Sequence, residues 1–272
     1  MVMAADQSAD VFDSASLPAG PLGTVARCWR YPVKSFQGTE AAELTIDAGG
    51  VTGDRAHALL DTKTGHLMSA KRTSALLGGL ATDDTITLPD GTTLALDDPG
   101  ADDALSAWLG KPVHLAGLDE AGELSFEMTF DPPNDESEYY EIPVPANTFL
   151  DLAHIHLITT ATLAGCAAAR PDLNWDVRRF RPNLLLDVPG QAFVEGTWMG
   201  RDIKVGSVVL HVDGPTVRCA MPLRAQPGGI EREPGLFAAM NDLNTVTPNH
   251  LGAYATVVTP GTARPGDTVE LL

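Results

Sequence analysis

The sequence is poor in cysteine and has no long apolar run near its start. Its 3 cysteines, Cys28, Cys166 and Cys219, are widely spaced and form no Cys-x-x-Cys pair. This scattered, odd-numbered set argues against a disulfide framework, a zinc site or an iron–sulfur cluster, and it suits a reducing, cytoplasmic location. Residues 1–20 contain no Lys or Arg and no apolar stretch typical of a signal sequence or a membrane span, so we interpret them as a flexible polar tail.

Basic residues are scarce as well. The chain has 18 Lys and Arg against 36 Asp and Glu, a formal net charge of −18. Such a surface repels phosphate backbones and anionic lipid, so we expect neither nucleic acid nor membrane partners. Walker loops, Gly-x-Gly-x-x-Gly turns opening a helix and His-Glu-x-x-His are also missing, which removes the usual supports for nucleotide and zinc-protease chemistry.

What is present predicts a globular, mostly β protein with a few short helices. Hydrophobic residues make up 44% of the 272, enough for a substantial core. Short strands alternate with turn signals every eight to twelve residues or so, as in a barrel or sandwich. The predicted divisions are the tail at 1–20, a small β-barrel-like domain at 21–117, an acidic linker or flap at 118–150 and a second domain at 151–272.

The segment Val205–Pro222 contains the main candidate for a reactive group. An alternating apolar run predicts a strand, Asp213-Gly214-Pro215 predicts a turn, and a second short strand would then place Arg218 and Cys219 at its end. Because a thiolate is both the nucleophile and the metal ligand, and a neighbouring guanidinium favours it over the thiol, Cys219 is a candidate site residue. The alternative is a buried, inert cysteine.

Positive charge collects in turns at strand ends. Lys34 and Ser35 follow a first strand, whose alternation predicts Val25 and Trp29 on one side and Cys28 on the other. Each cation could simply be solvated or neutralised by carboxylates, but 11 of the 18 basic residues lie in such segments or beside Cys219. An acidic protein with this distribution is predicted to bind a small, highly charged anion. The 11 are Arg27, Arg30, Lys34, Arg55, Lys71, Arg72, Arg178, Arg179, Arg181, Arg218 and Arg224.

Two further patterns leave alternatives open. His154 and His156 form a His-x-His pair that could bind zinc, but no third ligand has suitable spacing, so structural histidines are the favoured interpretation. An alanine-rich helix is predicted over residues 160–169, with Thr160 or Thr162 as its N-cap, and its free N–H groups could also receive a phosphate.

Five segments in this order resemble the MOSC superfamily, named for the C-terminal domain of molybdenum cofactor sulfurase. The resemblance extends from Gly23 to Leu272 and includes the N-terminal β-barrel domain of the family. It implies a molybdopterin form of molybdenum cofactor, with Cys219 as the molybdenum ligand. The segments are Tyr31-Pro32-Val33-Lys34-Ser35, Gly53-Asp54-Arg55, Arg179-Phe180-Arg181-Pro182-Asn183, Arg218-Cys219 and Leu251-Gly252 with Pro265-Gly266-Asp267. The cofactor-binding residues implied are Lys34, Ser35, Arg55, Thr159, Thr160, Arg179, Arg181, Asn183 and Arg218.

The resemblance leaves three functions open. The first is an oxidoreductase of the amidoxime-reducing type, acting on small N-oxygenated or related substrates and receiving electrons from a separate donor protein, since no four-cysteine cluster is present. The second is a carrier, of sulfur as a persulfide on Cys219 or of the intact cofactor. The third is a binding module without turnover, against which the retained cysteine argues.

Overall fold

The protein is described by a computed structural model that covers residues 17–134 and 136–272. The predicted tail therefore lies outside the described residues up to position 16, and Gly20 already begins the first strand. The β-strands are β1 (Gly20–Arg30), β2 (Thr39–Glu40), β3 (Leu44–Asp47), β4 (Gly50–Val51), β5 (His57–Asp61), β6 (Leu80–Ala81), β7 (Thr85–Thr87), β8 (Thr93–Ala95), β9 (Val113–Gly117), β10 (Ser125–Met128), β11 (Tyr140–Pro143), β12 (Ile155–Thr159), β13 (Leu184–Asp187), β14 (Asp202–Val205), β15 (Val208–Val217), β16 (His250–Thr259), β17 (Gly261–Ala263) and β18 (Thr268–Leu271). The α-helices are α1 (Ala101–Leu109), α2 (Thr160–Ala169) and α3 (Gly235–Leu243).

Seven strands form a closed barrel. Their order is β13-β12-β16-β15-β14-β18-β1, and the barrel closes because β1 also pairs with β13. Inward-facing side chains such as Val205, Leu210 and Ala255 are completely buried and fill the interior. The prediction of a mostly β fold with a few short helices is confirmed.

The first strand departs from simple alternation. Its register with β13 shifts between Val25 and Arg27, so two residues of β1 face one partner position there. Such a bulge reverses the side to which later residues point. Val25 and Cys28 consequently share the barrel core, whereas Trp29 packs in a different cluster outside the barrel, so the predicted grouping of Val25 with Trp29 is wrong.

The predicted turn at Asp213-Gly214-Pro215 is also wrong. These residues lie inside the continuous strand β15, which pairs with β16 along most of its length. The register shifts between Val212 and Gly214 and again between Pro215 and Val217. Residues that favour turns are accommodated here as bulges, and the strand continues to the predicted thiol segment.

The remaining strands form small sheets beside the barrel. β7 and β8 make a hairpin around Pro89-Asp90-Gly91, and Gly110, in the left-handed conformation, is the C-cap of α1. The acidic segment 118–150 contains the hairpin β10–β11, whose Phe126 is buried against Phe149 and Ala58. Through these contacts the acidic segment packs against the small sheet formed by β5 and β9.

The helices of the described part are short. The longest, α2, has 10 residues. A helix needs about 20 apolar residues to cross a bilayer, and no helix within the described ranges is long and apolar enough to do so.

Candidate functional site: a cationic pocket beside Cys219

A pocket of about 110 Å³ opens at one end of the barrel. At this end of the barrel, the C-terminal ends of β1 and β15 lie beside the starts of β12, β13 and β16. The reason is that antiparallel pairing places the end of one strand beside the beginning of its partner. Segments distant in sequence thereby converge. Eight of the ten predicted site residues line this pocket: Lys34, Ser35, Arg55, Arg179, Arg181, Asn183, Arg218 and Cys219.

Three of these residues have unusual backbone geometry. Six described residues other than glycine have positive φ, and Ser35, Arg55 and Arg181 are among them, at 68°, 48° and 56°. Left-handed backbone is costly for residues with a Cβ and persists only where the surrounding structure imposes it, which is common at ligand sites. All three of these polar residues line the pocket.

Two arginines stack on one tyrosine. The guanidinium carbons of Arg181 and Arg55 lie 4.2 and 4.6 Å from the ring centroid of Tyr31. Arg55 also pairs with Asp54, whereas the guanidinium of Arg181 makes one hydrogen bond within the described residues, 2.6 Å to the carbonyl of Phe36. Burial lowers the pKa of Arg181 to about 10, helped by the nearby charge of Arg55. Arg181 therefore keeps unused N–H donors.

Other predicted residues are committed to the protein itself. Arg179 donates to the carbonyls of Pro222 and Glu231 at 3.0 and 2.9 Å and so anchors the loop after Cys219. Asn183 donates to Asp54 at 3.0 Å and accepts from the backbone of His156 at 3.2 Å. Although both line the pocket, their polar groups mainly hold its walls in place.

Arg218, beside the thiol, is likewise held by the protein. Its Nε donates to the carbonyl of Leu251 at 2.8 Å, and its other nitrogens contact the carbonyl of Phe180 and the ring of His156. Burial is the main cause that lowers its pKa to about 10. The guanidinium of Arg218 is therefore held by the protein next to Cys219 in the chain.

His156 connects two arginine segments. Its Nε2 lies 2.6 Å from a nitrogen of Arg218, and its Nδ1 lies 3.3 Å from the carbonyl of Arg181. Arginine only donates, so Nε2 must accept and Nδ1 carries the proton, which makes the ring neutral. Burial and the charge of Arg218 hold the pKa of His156 well below its usual range. The structural interpretation of this histidine therefore agrees with its contacts, and within the described residues no group of three or more His, Cys, Asp and Glu is placed to hold a metal ion.

Two buried lysines share the carboxylate of Asp151; Lys34 and Asp151 line the pocket, whereas Lys71 is not part of its lining. Asp151 accepts from Lys34 at 2.5 Å and from Lys71 at 2.9 Å. The ammonium groups lie 5.4 and 3.6 Å from the ring centroid of Phe126. Burial, and then the repulsion of Lys71, lower the pKa of Lys34 to about 8 against the attraction of Asp151.

Cys219 differs from the other two cysteines. Cys28 and Cys166 are both 1% exposed, and burial raises the pKa of each to about 12. Cys219 is half-buried and lines the pocket. Since thiolate chemistry requires access, Cys219 is the cysteine suited to ligation or reaction.

The structure does not bring Thr159 and Thr160 to the pocket. Thr159 is completely buried, accepts from the backbone N–H of Thr162 as the N-cap of α2, and donates to Glu195 at 2.8 Å. Thr160 donates to Asp187 at 2.8 Å. The cap predicted at Thr160 or Thr162 is thus wrong by one or three residues, because β12 runs directly into α2 and its last residue already has the extended backbone of an N-cap.

Sequence reasoning missed Asp151, Thr216 and Tyr254 as pocket residues. Thr216 is 1% exposed, and its hydroxyl has no hydrogen-bond partner within the described residues. Burial raises the pKa of Tyr254 to about 12. Alternation along β15 could have found Thr216, two residues before Arg218; no comparable local signal marks Asp151 or Tyr254.

Comparison with known families matches two models in order along the chain. The MOSC N-terminal beta barrel domain matches residues 22–115, and the MOSC domain matches residues 145–270. No functionally curated protein matches the sequence.

Similar solved structures include the YUAD protein from Bacillus subtilis, at 12% identity, with 93% of this chain and 94% of that chain covered and a TM-score of 0.42. YiiM from Escherichia coli is 10% identical, with 94% of this chain and 70% of that chain covered and a TM-score of 0.39. YiiM from Geobacillus stearothermophilus is 13% identical, covering 56% of this chain and 73% of that chain, with a TM-score of 0.34.

Proposed function

Because the chain belongs to the MOSC superfamily, whose domains are associated with molybdenum-cofactor binding, we propose that its cationic pocket holds molybdenum cofactor with Cys219 as the metal ligand. The observation that carries the proposal is the coincidence of the accessible thiol with buried cations in one pocket. The chain as a whole has a net charge of −18, whereas this pocket is locally positive. This suits a compact anion rather than an extended polyanion.

The residues present fit the cofactor. Its phosphate needs positively charged N–H donors, which Lys34, Arg55 and Arg181 supply at the pocket. The buried, unpartnered hydroxyl of Thr216 offers one more polar group to a ligand. A single soft thiolate suits a metal that arrives already held by dithiolene sulfurs. We therefore assign Lys34, Ser35, Arg55 and Arg181 to direct binding, and Arg179, Asn183 and Arg218 to holding the walls.

We further propose that the loaded protein is an oxidoreductase for small N-oxygenated substrates. When bound, the cofactor supplies the two-electron redox chemistry, and the protein binds, orients and shields it. Reduction of an N-hydroxy compound consumes two electrons and two protons, breaks the N–O bond and releases water. The electrons would come from a separate donor protein. The position of Cys219 supports this oxidoreductase activity, because the residue is half-buried at an open pocket and a small substrate has access to it.

The test is metal analysis of protein made in a host that synthesises the cofactor. We expect stoichiometric molybdenum in the wild type and less than about a tenth of it in Cys219→Ala, because one protein–metal bond and its orientation are lost. Cys166→Ala is the matched control and should retain the metal, since its thiol is buried away from the pocket. Equal molybdenum in wild type and Cys219→Ala would refute the ligand assignment.

Carriage of sulfur or of intact cofactor is the second candidate, favoured by the same accessible thiol. The two functions differ in measurable ways. A reductase turns over N-hydroxylated compounds with artificial electron donors, whereas a sulfur carrier shows an extra, reductant-labile sulfur on Cys219 by intact mass. A cofactor carrier retains molybdenum, lacks turnover and transfers the cofactor to an apo-enzyme.

A further inference from the structure

The Lys34–Asp151–Lys71 cluster contains more positive than negative charge. Two ammonium groups share one carboxylate, at 2.5 and 2.9 Å. Lys34 also donates to the carbonyl of Phe149 at 2.6 Å. Lys71 has no other hydrogen bond from its ammonium group within the described residues, although its charge lies 3.6 Å from the ring centroid of Phe126. One positive charge in this buried cluster is therefore left without an anion.

The three groups differ in their access to water. The side chains of Lys34 and Lys71 are 6% and 5% exposed, whereas that of Asp151 is 34% exposed. An ammonium at such depth cannot turn to solvent without moving the chain around it, but the carboxylate can. Asp151 also belongs to the stretch 149–153, which lies outside any helix or strand and lines the pocket. Asp151 is thus the member of the cluster that can leave.

We propose that the space between Lys34 and Lys71 is a binding subsite for a tetrahedral dianion, such as a phosphate monoester, and that Asp151 occupies this subsite until such a ligand displaces it. The charge balance favours the exchange. With Asp151 the two lysines keep a net charge of +1, whereas a dianion in its place makes the cluster neutral. A monoanion offers no such gain. Lys71 is one of the 11 basic residues grouped by the sequence pattern, but the resemblance did not imply it and it is not part of the pocket lining. With Asp151 displaced, it becomes a ligand-binding residue.

The inference deepens the proposed function, because the phosphate of the cofactor is a dianion of this kind. It gives the pocket an internal carboxylate that keeps two buried lysines paired before the cofactor arrives. The released carboxylate would move toward solvent at the pocket opening, where its charge is hydrated.

The experiment measures anion binding to full-length protein made without cofactor. The probes are sulfate, a dianion across the neutral pH range, and nitrate, a monoanion. In isothermal titration at constant ionic strength we expect the wild type to bind sulfate at least about tenfold more tightly than nitrate. Asp151→Asn should tighten sulfate binding about tenfold, because a competing negative charge is gone. Lys71→Met should weaken it about tenfold by removing one charged donor, and Lys204→Met, an exposed lysine of β14, is the matched control.

A second readout covers the case in which Asp151→Asn does not fold. Hydrogen exchange of residues 149–153 in the wild type should increase when sulfate is added, because the carboxylate that tethers this stretch is released. Sulfate binding that is weakened or unchanged in Asp151→Asn, or exchange at 149–153 that does not respond to sulfate, would overturn the proposal.

These outcomes are separable from those of the proposed function. Sulfate affinity is measured on cofactor-free protein, whereas the proposed function is decided by molybdenum content and Cys219. Failure of the dianion subsite leaves the molybdenum result as it stands, and protein without molybdenum can still show the predicted response to Asp151→Asn.

Discussion

At the scale of single residues, His156 links two arginine segments of the pocket. Its two ring nitrogens contact the side chain of Arg218 and the backbone of Arg181, so one neutral ring fixes both arginine segments. A protonated ring would place two positive charges at hydrogen-bonding distance from each other. The neutral state is therefore a condition for this arrangement.

His156 should make the folded state less stable in acid. Its pKa is well below 6.5 when folded, mainly through burial, and rises to about 6.5 on unfolding. As pH falls below about 6.5, the unfolded chain binds a proton that the folded protein does not, so the free energy of unfolding decreases, by up to about 2 kcal/mol at pH 5. His156→Gln, which can still accept from Arg218, should remove this contribution, as measured by urea denaturation between pH 5 and 8.

His114 provides a comparison of opposite sign. Hydrogen bonds to Asp102 and Glu120, at 2.7 and 2.9 Å, raise its pKa when folded. Its stabilisation is present below the unfolded pKa and is lost as pH rises through the folded value, so His114→Gln should destabilise in acid, by less than about 1 kcal/mol because the site is partly exposed. If the free energy of unfolding of His156→Gln and His114→Gln depended on pH in the same way, the opposite pKa shifts of the two histidines would be contradicted.

At the scale of elements, the seam between β1 and β13 closes the barrel and also connects two pocket segments. Lys34 follows β1, and Asn183 immediately precedes β13. Close approach of the strands near the other end of the seam depends on Gly23, where an added Cβ would overlap the carbonyl oxygen of Asp187. The seam has no room for a side chain at this position.

Gly23→Ala should therefore separate the two strands and lower the free energy of unfolding by about 1–3 kcal/mol. Gly214→Ala is the matched control, because it also lies in a barrel strand but nothing stands within 4 Å of an added Cβ. Urea denaturation monitored by tryptophan fluorescence would measure both. Equal stabilities of the two variants would show that the seam can widen without cost.

For the whole molecule, the net charge of −18 opposes compaction while the pocket concentrates positive charge. Repulsion between surface carboxylates is long-ranged and easily screened, whereas the ion pairs of buried Lys34 and Lys71 are screened much less. Added salt should therefore relieve the unfavourable interactions more than the favourable ones.

We expect the melting temperature to rise by a few degrees when sodium chloride is raised from about 0.02 to about 0.3 M, near neutral pH. Differential scanning calorimetry would measure it, with sodium nitrate as the control for specific anion binding. A fall in melting temperature with both salts would mean that exposed ion pairs outweigh the general repulsion.

The sequence predicted the fold class because strand patterns and turn signals are local features of the chain. The candidate site residues came from cations at strand ends together with the family resemblance. Eight of these ten residues line one pocket in the structure, and their roles there stay predictions. Thr159 and Thr160 were misplaced because a hydroxyl at the end of a strand can equally cap the following helix, and Thr159 does so.

Amino-acid order alone determined that a cysteine would stand beside an arginine, in an acidic chain whose basic residues gather in turns. Tertiary structure decided which cations remain available to a ligand and which are occupied by carbonyls, as Arg181 and Arg179 illustrate. It also decided that Asp151 would pair with Lys34 and Lys71, far apart in the chain. The physical reason is that hydrogen-bond partners and burial depend on long-range strand pairing, and a single bulge changes the side to which every later residue points.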